Sequence, residues 1–253
     1  MRKIFLLTIV SFIFPLLIYS QYSKPVADFS SVDSFSKTIK YNNNVYELTT
    51  GLTKQYQAPL LKARVIFKWI TENIDYDYKL FNKYYYQNKD YYTYTCREDE
   101  DCEEKRIAWE TKYINKVLSR KKAVCMGYAM LFKKMCDIAG LKSEMITGYV
   151  RTEYYQVGTA GTLNHAWNTI WLNGSCHLLD ATWAAGGCSK DSDGKLLDYH
   201  KKFNEYYWLT PPGDFVRNHY PENNEWVLLS NYTKDSFSAN PYYSYHVLND
   251  LKL

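Results

Sequence analysis

Three side chains far apart in the sequence, Cys125, His165 and Asp180, are of the types that perform nucleophilic acyl transfer. In such a set a thiolate attacks an amide carbonyl, an imidazole protonates the leaving amine, and a thioester remains for water or an amine to resolve. The carboxylate accepts one imidazole N–H and fixes the tautomer, which leaves the other ring nitrogen for the thiol. This chemistry requires that separate elements of the fold bring the three groups together.

Cys125 stands near the start of residues 123–139, an apolar stretch with helical spacing that Gly140 should close. A helix N-terminus presents free backbone N–H groups and the positive end of the helix dipole, which favour a thiolate over a thiol. Further helices are predicted over residues 59–73, where a proline suits the first helical position, and over residues 107–118. We therefore expect Cys125 on the first turn of a buried helix.

A predicted hairpin should bring the histidine and the aspartate together. Its strands, residues 165–172 and 176–182, flank Asn173-Gly174, which is a strong short-range hairpin signal. Pairing around this turn places residue 167 opposite Asp180 and His165 diagonal to it on the same face. A slip of one residue would turn the carboxylate to the other face. Residues 143–150 are predicted to form a further strand.

Four tryptophans are candidates for the substrate cleft. The oxyanion of the tetrahedral intermediate needs hydrogen-bond donors, and the backbone N–H of Cys125 is a natural first donor. The second donor could be the side chain of Trp109 or Trp69. Trp167 and Trp183 flank the histidine and the aspartate in the sequence, so they could line the cleft, although packing in the core is favoured for both.

Several short motifs, in order, resemble the transglutaminase-like superfamily. They are AVCMGYA at 123–129, AGL at 139–141, TGY at 147–149, NHAWN at 164–168 and LDATW at 179–183. A tail with YWLTPP at 207–212 and HYP at 219–221 resembles the branch that contains kyphoscoliosis peptidase and cytokinesis-associated proteins. The resemblance covers roughly residues 45 to 230. It implies an α+β, papain-like fold with the nucleophile at the N-terminus of a central helix packed on an antiparallel sheet, and a triad of Cys125, His165 and Asp180.

The first residues resemble a secretory signal peptide. Arg2 and Lys3 precede an almost wholly apolar run over residues 4–18, which is shorter than the roughly 20 residues that span a bilayer. Residues 1–20 are therefore predicted to be removed, giving a secreted or periplasmic protein without stable membrane insertion. Loss of the two basic residues lowers the formal charge from +4 to +2, a field too weak to indicate nucleic acid as a partner.

The rest of the chain is predicted to hold an extended lead-in, residues 21–44, and a transglutaminase-like domain, residues 45–253, with a tyrosine-rich insertion at 79–104. The tyrosines of the insertion could stack on sugars or peptides, but packing over their own domain is favoured.

Export permits disulfides, for which Cys96 with Cys102 is the better pair and Cys176 with Cys188 the weaker one. Cys125 and Cys136 would lie about three helical turns apart, too far to bridge.

The sequence thus predicts an exported thiol enzyme that acts on peptide or protein amides, with hydrolysis favoured over crosslinking because no second amine-binding pocket is marked. The alternative is a non-catalytic module that binds protein or glycan; a Cys125 with ordinary thiol reactivity would favour it.

No cofactor and no metal site are predicted. Cys176, His177 and Asp180 lack ligand spacing, and Asp191 with Asp193 lacks the rest of a calcium loop. His219 is interpreted as a hydrogen-bonded packing residue.

Overall fold

The computed structural model describes residues 24, 27–85, 95–97 and 101–243. The helices in these ranges are α1 (Ser30–Ser36), α2 (Val45–Thr53), α3 (Pro59–Asn73), α4 (Tyr78–Tyr85), α5 (Cys102–Arg120), α6 (Cys125–Ile138), α7 (Ala181–Ala185), α8 (Pro212–Phe215) and α9 (Lys234–Ala239). The strands are β1 (Asp75–Tyr76), β2 (Lys122–Ala123), β3 (Ser143–Val150), β4 (His165–Leu172), β5 (Ser175–Leu179), β6 (Gly186–Lys190), β7 (Leu196–Lys201) and β8 (His219–Pro221). The predicted α+β class is confirmed.

A four-stranded antiparallel sheet, in the order β5-β4-β3-β8, forms one layer of the fold. The hairpin of β4 and β5 has the predicted register, because Leu172 pairs with Ser175 and Asn168 with Leu179. The turn residues Asn173 and Gly174 both have positive φ angles, 51° and 81°, as a two-residue hairpin turn of this hand requires.

Helix α6 is the central helix and packs against β3 and β4 on one side and α3 on the other. The aromatic rings of Phe67 on α3 and Phe132 on α6 meet edge to face with centroids 6.4 Å apart. The hydroxyl of Tyr128, also on α6, donates to the Ile74 carbonyl at 2.6 Å, just after α3 ends. These buried contacts fix the start of α6 relative to α3. The predicted helix over residues 59–73 and the helix closed by Gly140, whose φ is 72°, are both present.

The prediction of an extended lead-in over residues 21–44 is wrong in its middle, because residues 30–36 form α1. Phe29 and Val32 are buried against the domain, so the segment gains apolar burial that its polar composition does not suggest. Arg64 on α3 is also buried and donates to both carboxylate oxygens of Asp33 at 2.7 Å. The lead-in is therefore an integral part of the domain.

The tyrosine-rich insertion predicted at 79–104 contains helix at both of its ends. Residues 78–85 form α4, and α5 begins at Cys102, earlier than the predicted residue 107, because the Asp101 side chain accepts the backbone N–H groups of Glu103 and Glu104. Residues 86–94 and 98–100, with four of the six clustered tyrosines, lie outside the described residues. The role predicted for those tyrosines stays a prediction.

Cys96 and Cys102 form the predicted disulfide, with Cα atoms 5.5 Å apart. Cys176 and Cys188 are both free, so the weaker predicted pair is wrong.

The predicted signal peptide, residues 1–20, lies outside the described residues. Of the helices in the described ranges, none has the length and apolar character that crossing a membrane would require.

Candidate active site

Cys125 is the first residue of α6 and is half-buried. Strand β2 pairs with β1 just before it, and Val124 remains extended, so the chain turns into the helix at the cysteine itself. Gly127 allows the neighbouring α5 to approach this first turn, because a Cβ there would lie 2.7 Å from the Ala123 Cβ and 3.0 Å from Val117 Cγ2. The sulfur thus stands at the end of a helix where backbone N–H groups are exposed to a bound anion.

The imidazole of His165 lies between Asp180 and Cys125. Its Nε2 donates to Asp180 Oδ2 at 2.8 Å, and the Cys125 side chain lies near enough to raise the pKa of the same ring. Because Nε2 is engaged by the carboxylate, the nitrogen that remains for the thiol is Nδ1. Burial alone would lower the pKa of His165, but the Asp180 carboxylate and Cys125 raise this pKa to about 10.

Asp180 is fully buried and receives four hydrogen bonds. Its Oδ1 accepts the backbone N–H groups of Thr182 at 2.8 Å and Trp183 at 3.1 Å, and its Oδ2 accepts His165 and the Nε2–H of His219 at 3.1 Å. Burial would raise the pKa of Asp180, but the charge and hydrogen bonds of His165 and His219 hold it well below the usual range. Asp180 is thus an ionised carboxylate inside the protein.

The strand predicted over residues 176–182 is shorter than expected. It ends at Leu179 because Asp180 is the N-cap of the short helix α7, a role that suits aspartate through its side-chain oxygen. One carboxylate oxygen holds the local backbone while the other faces the histidines. The cap therefore fixes the direction of the carboxylate.

His219 is a site residue that the sequence analysis assigned only to packing. It is fully buried on β8 and reaches Asp180 through the pairing of Val150 with His219 at the edge of the sheet. Nothing in the sequence spacing relates it to residue 180. The one signal was its place in the HYP motif of the tail.

His165, Asp180 and His219 are, within the described ranges, the one group of such side chains close enough to share a metal ion, with ligand atoms within 4.8 Å of one another. A metal would bind lone pairs at the two Nε2 atoms, whereas the hydrogen bonds to Asp180 require protons there. The distances of 2.8 Å and 3.1 Å from the two Nε2 atoms to Asp180 Oδ2 are those of hydrogen bonds. The prediction that no metal takes part stays a prediction.

The four tryptophan candidates fall in different places. Trp69 is almost fully buried and its indole N–H donates to the Ile39 carbonyl at 2.9 Å, so it is a core residue and the prediction of an oxyanion donor is wrong for it. Trp167 is buried beside His165, with ring centroids 6.2 Å apart, and belongs to the core that supports the imidazole. Trp183 is half-buried with its ring 5.4 Å from that of His165, at the edge of the site.

Trp109 lies on α5, beside the first turn of α6. Its ring stacks on Tyr113 at 5.6 Å, and the Tyr113 hydroxyl is 3.2 Å from the position that a Cβ on Gly127 would occupy. The stacked pair therefore borders the helix turn that carries Cys125. Both rings are half-buried, so part of each ring is exposed to solvent.

Comparison with known proteins places this site in a family. The model of the family described as "Transglutaminase-like superfamily" matches residues 46–184, which include Cys125, His165 and Asp180. Kyphoscoliosis peptidase of Mus musculus is 30% identical over 203 residues, which cover 79% of this chain and 27% of that protein.

Two further relatives match most of the chain. Hillarin of Drosophila melanogaster is 25% identical, over 82% of this chain and 24% of its own length. Cytokinesis protein 3 of Schizosaccharomyces pombe is 26% identical, over 78% of this chain and 19% of its own length. The chain thus spans about a quarter or less of the length of these relatives.

Proposed function

Because the chain belongs to the transglutaminase-like superfamily, we propose that Cys125, His165 and Asp180 form the catalytic triad of a thiol enzyme that transfers acyl groups from peptide or protein amides. The observation that carries the proposal is the chain of contacts from Asp180 through His165 to the thiol at the start of α6. His165 is oriented through Nε2 by Asp180, and in the proposal its Nδ1 accepts the proton of the thiol.

In the proposed reaction the Cys125 thiol gives its proton to His165 Nδ1, and Asp180 stabilises the resulting imidazolium. The thiolate attacks the carbonyl carbon of an amide, and the tetrahedral intermediate carries a negative oxygen. Collapse breaks the C–N bond, and the leaving amine takes the proton from Nδ1, which leaves a thioester on the sulfur. The negative oxygen is stabilised by the backbone N–H of Cys125, with Trp109 as the candidate second donor.

We favour hydrolysis as the second half of the reaction. Water that loses a proton to His165 attacks the thioester, releases the acid and restores the thiol. One relative that matches most of the chain is named a peptidase. An amine such as a lysine side chain would give a crosslink by the same attack.

Mass spectrometry of products tests the proposal. The purified protein is incubated with a peptide library and an added primary amine, beside Cys125→Ala and the matched control Cys136→Ala. Cys136 lies on the same helix but is fully buried, and burial raises the pKa of its thiol, so its loss should leave turnover in place. Cleaved, deamidated and amine-tagged peptides identify three different reactions. Products that persist in Cys125→Ala would refute the proposal.

Export is part of the proposal, and it is supported by the apolar first segment and by the Cys96–Cys102 disulfide, which is typical of oxidising compartments. Expression with the native leader should give a secreted or periplasmic protein whose first residue lies close to residue 21. Recovery of the full-length chain inside the cell alone would contradict it.

A non-catalytic module that binds protein or glycan is the second candidate. It is favoured by two strongly exposed tyrosines, Tyr154 and Tyr155, on the connection that leads into β4. Pull-down of the same partner by wild type and by Cys125→Ala, without any product in the library assay, would select this candidate.

A further inference from the structure

A second imidazole, that of His219, shares the Asp180 oxygen that orients His165. His219 Nε2 lies 3.1 Å from Oδ2, against 2.8 Å for His165 Nε2. The side chain of His219 has no exposed surface. A buried polar ring of this kind needs a hydrogen-bond partner, and here the partner is the carboxylate of the proposed triad.

The His219 ring is held in place by aromatic neighbours from several elements. Its centroid lies 4.2 Å from that of Phe215 on α8, 4.7 Å from that of Trp183 on α7, and 5.1 Å from that of Trp167 on β4. Aromatic rings on several sides restrict the movement of the His219 ring. The Nε2–H bond is therefore aimed at Asp180 before any substrate arrives.

The surroundings select a neutral His219. Its centroid lies 5.5 Å from that of His165, and two adjacent imidazolium rings would repel each other strongly because both rings are largely buried. Burial, and secondarily the neighbouring His165, lower the pKa of His219 to about 4 despite the opposing effect of Asp180. The other titratable groups that face the pair are Cys125, which contacts His165, and Tyr207, whose ring centroid lies 5.9 Å from that of His219.

A neutral ring that donates from Nε2 must accept at Nδ1. The Asn218 amide oxygen lies 2.6 Å from Nδ1, and the amide nitrogen lies 3.2 Å from the Tyr207 hydroxyl. In the structure the amide nitrogen donates to the Tyr207 hydroxyl and the amide oxygen faces Nδ1. A neutral His219 that donates from Nε2 requires the opposite orientation of this amide, which has the same shape. The amide nitrogen then donates to Nδ1, and the Tyr207 hydroxyl donates to the amide oxygen. With the amide in that orientation, a relay of donors would run from Tyr207 through Asn218 and His219 to Asp180.

We propose that His219 is a positioning residue of the thiol enzyme: as a neutral Nε2–H donor it holds the Asp180 carboxylate ionised and aimed at His165. The inference rests on the proposed function for the triad. An apolar residue of similar shape could fill the space but could not donate to the carboxylate. The donor property, and not the volume, is the part that the experiment must isolate.

The rate at which iodoacetamide alkylates Cys125, measured over a range of pH, tests the donor property of His219 without any knowledge of the substrate. In His219→Leu the donor is lost and the carboxylate is no longer aimed at His165, so the thiolate–imidazolium pair should be less stable and the acid midpoint of the alkylation rate should rise by about one pH unit. In His219→Gln the side-chain amide reaches the position of Nε2 and should restore the wild-type midpoint. Thermal unfolding of both variants reports stability separately.

Each outcome has a distinct meaning. Equal shifts in both variants, or no shift in either, would overturn the role of His219 while the triad stands. A wild-type profile equal to that of an ordinary thiol would instead overturn the proposed function itself.

Nitrogen NMR of the wild-type rings provides a second test, which holds even if a variant fails to fold. We expect a neutral His219 protonated at Nε2 between about pH 5.5 and pH 8. A charged ring, or a proton on Nδ1 alone, would overturn the proposal.

Discussion

The two oxygens of Asp180 serve different partners, and this division explains how a fully buried carboxylate remains charged. Oδ1 caps α7 through two backbone N–H groups, and Oδ2 meets two imidazoles. The capping function needs only a side-chain oxygen, which asparagine also has, whereas the effect on His165 needs the negative charge. The two functions can therefore be separated by one substitution.

Asp180→Asn should keep the cap and lose the charge. The raised pKa of His165 means that its imidazolium is held at low and neutral pH and is lost as the pH rises through about 10. Without the carboxylate the imidazolium is lost at lower pH, so alkylation of Cys125 at about pH 7 should slow at least tenfold. The alkylation rates of the wild type and of Asp180→Asn should converge above about pH 8.5, where a thiol ionises without a neighbouring cation. Equal rates at neutral pH would contradict the role of Asp180.

Turnover by Asp180→Asn should fall by about 10³–10⁴-fold, since the histidine no longer has its tautomer fixed. Asp180→Ala should lose the same activity and also about 1 kcal/mol of stability from the cap. Comparison of the two variants in denaturant unfolding checks this difference. An asparagine variant as unstable as the alanine variant would contradict the assignment of the cap.

At the scale of elements, the site depends on the close packing of β3 between β4 and β8. Gly148 on β3 is the point where this packing is tightest, because a Cβ there would lie 2.2 Å from Trp167 Cη2 and 2.4 Å from the Tyr220 carbonyl oxygen. Trp167 supports His165, and Tyr220 follows His219 on β8. The glycine thus allows both imidazoles to approach Asp180.

Gly148→Ala should separate these strands. We expect a loss of about 1–3 kcal/mol in the free energy of unfolding, and slower alkylation of Cys125, because Trp167 or β8 must move. Gly187→Ala on β6 is the matched control, since nothing lies within 4 Å of its Cβ position. Denaturant unfolding of both variants checks the difference, and an equal effect of the two would contradict it.

The hairpin that holds His165 could be predicted from sequence because its Asn-Gly turn fixes the register over a few residues. The hydrogen bond from His219 to Asp180 could not be predicted from sequence. The two residues are 39 positions apart, and His219 is placed only by the pairing of three residues of β8 with β3. Helix α1 was missed for a similar reason. Its stability comes from contacts of Phe29 and Val32 with distant residues, and its own sequence is polar.

At the scale of the whole molecule, Arg64 ties the first described segment to the domain. Its guanidinium binds Asp33 on α1 and Glu205 between β7 and α8, in each case through two hydrogen bonds. Arg106 on α5 also pairs with two carboxylates, Glu103 and Glu110, but its side chain is 39% exposed, against 3% for Arg64. The two arginines are matched in chemistry and differ in burial.

Arg64→Lys should cost about 3 kcal/mol or more of stability, because a buried network loses its forked donor. Arg106→Lys should cost about 1 kcal/mol or less, since water screens the exposed pairs. Urea unfolding gives both values. Limited proteolysis should also cut residues 27–40 faster in Arg64→Lys than in the wild type or in Arg106→Lys. Cleavage of Arg64→Lys at the wild-type rate would contradict the role of Arg64 in holding this segment.

The position of His219 near the C-terminal end has a consequence for synthesis. The thiol, the imidazole and the carboxylate have all been translated before β8 can add to the edge of the sheet. Until then Asp180 lacks one of its four hydrogen-bond donors. A growing polypeptide therefore carries an incomplete centre until β8 has paired with β3.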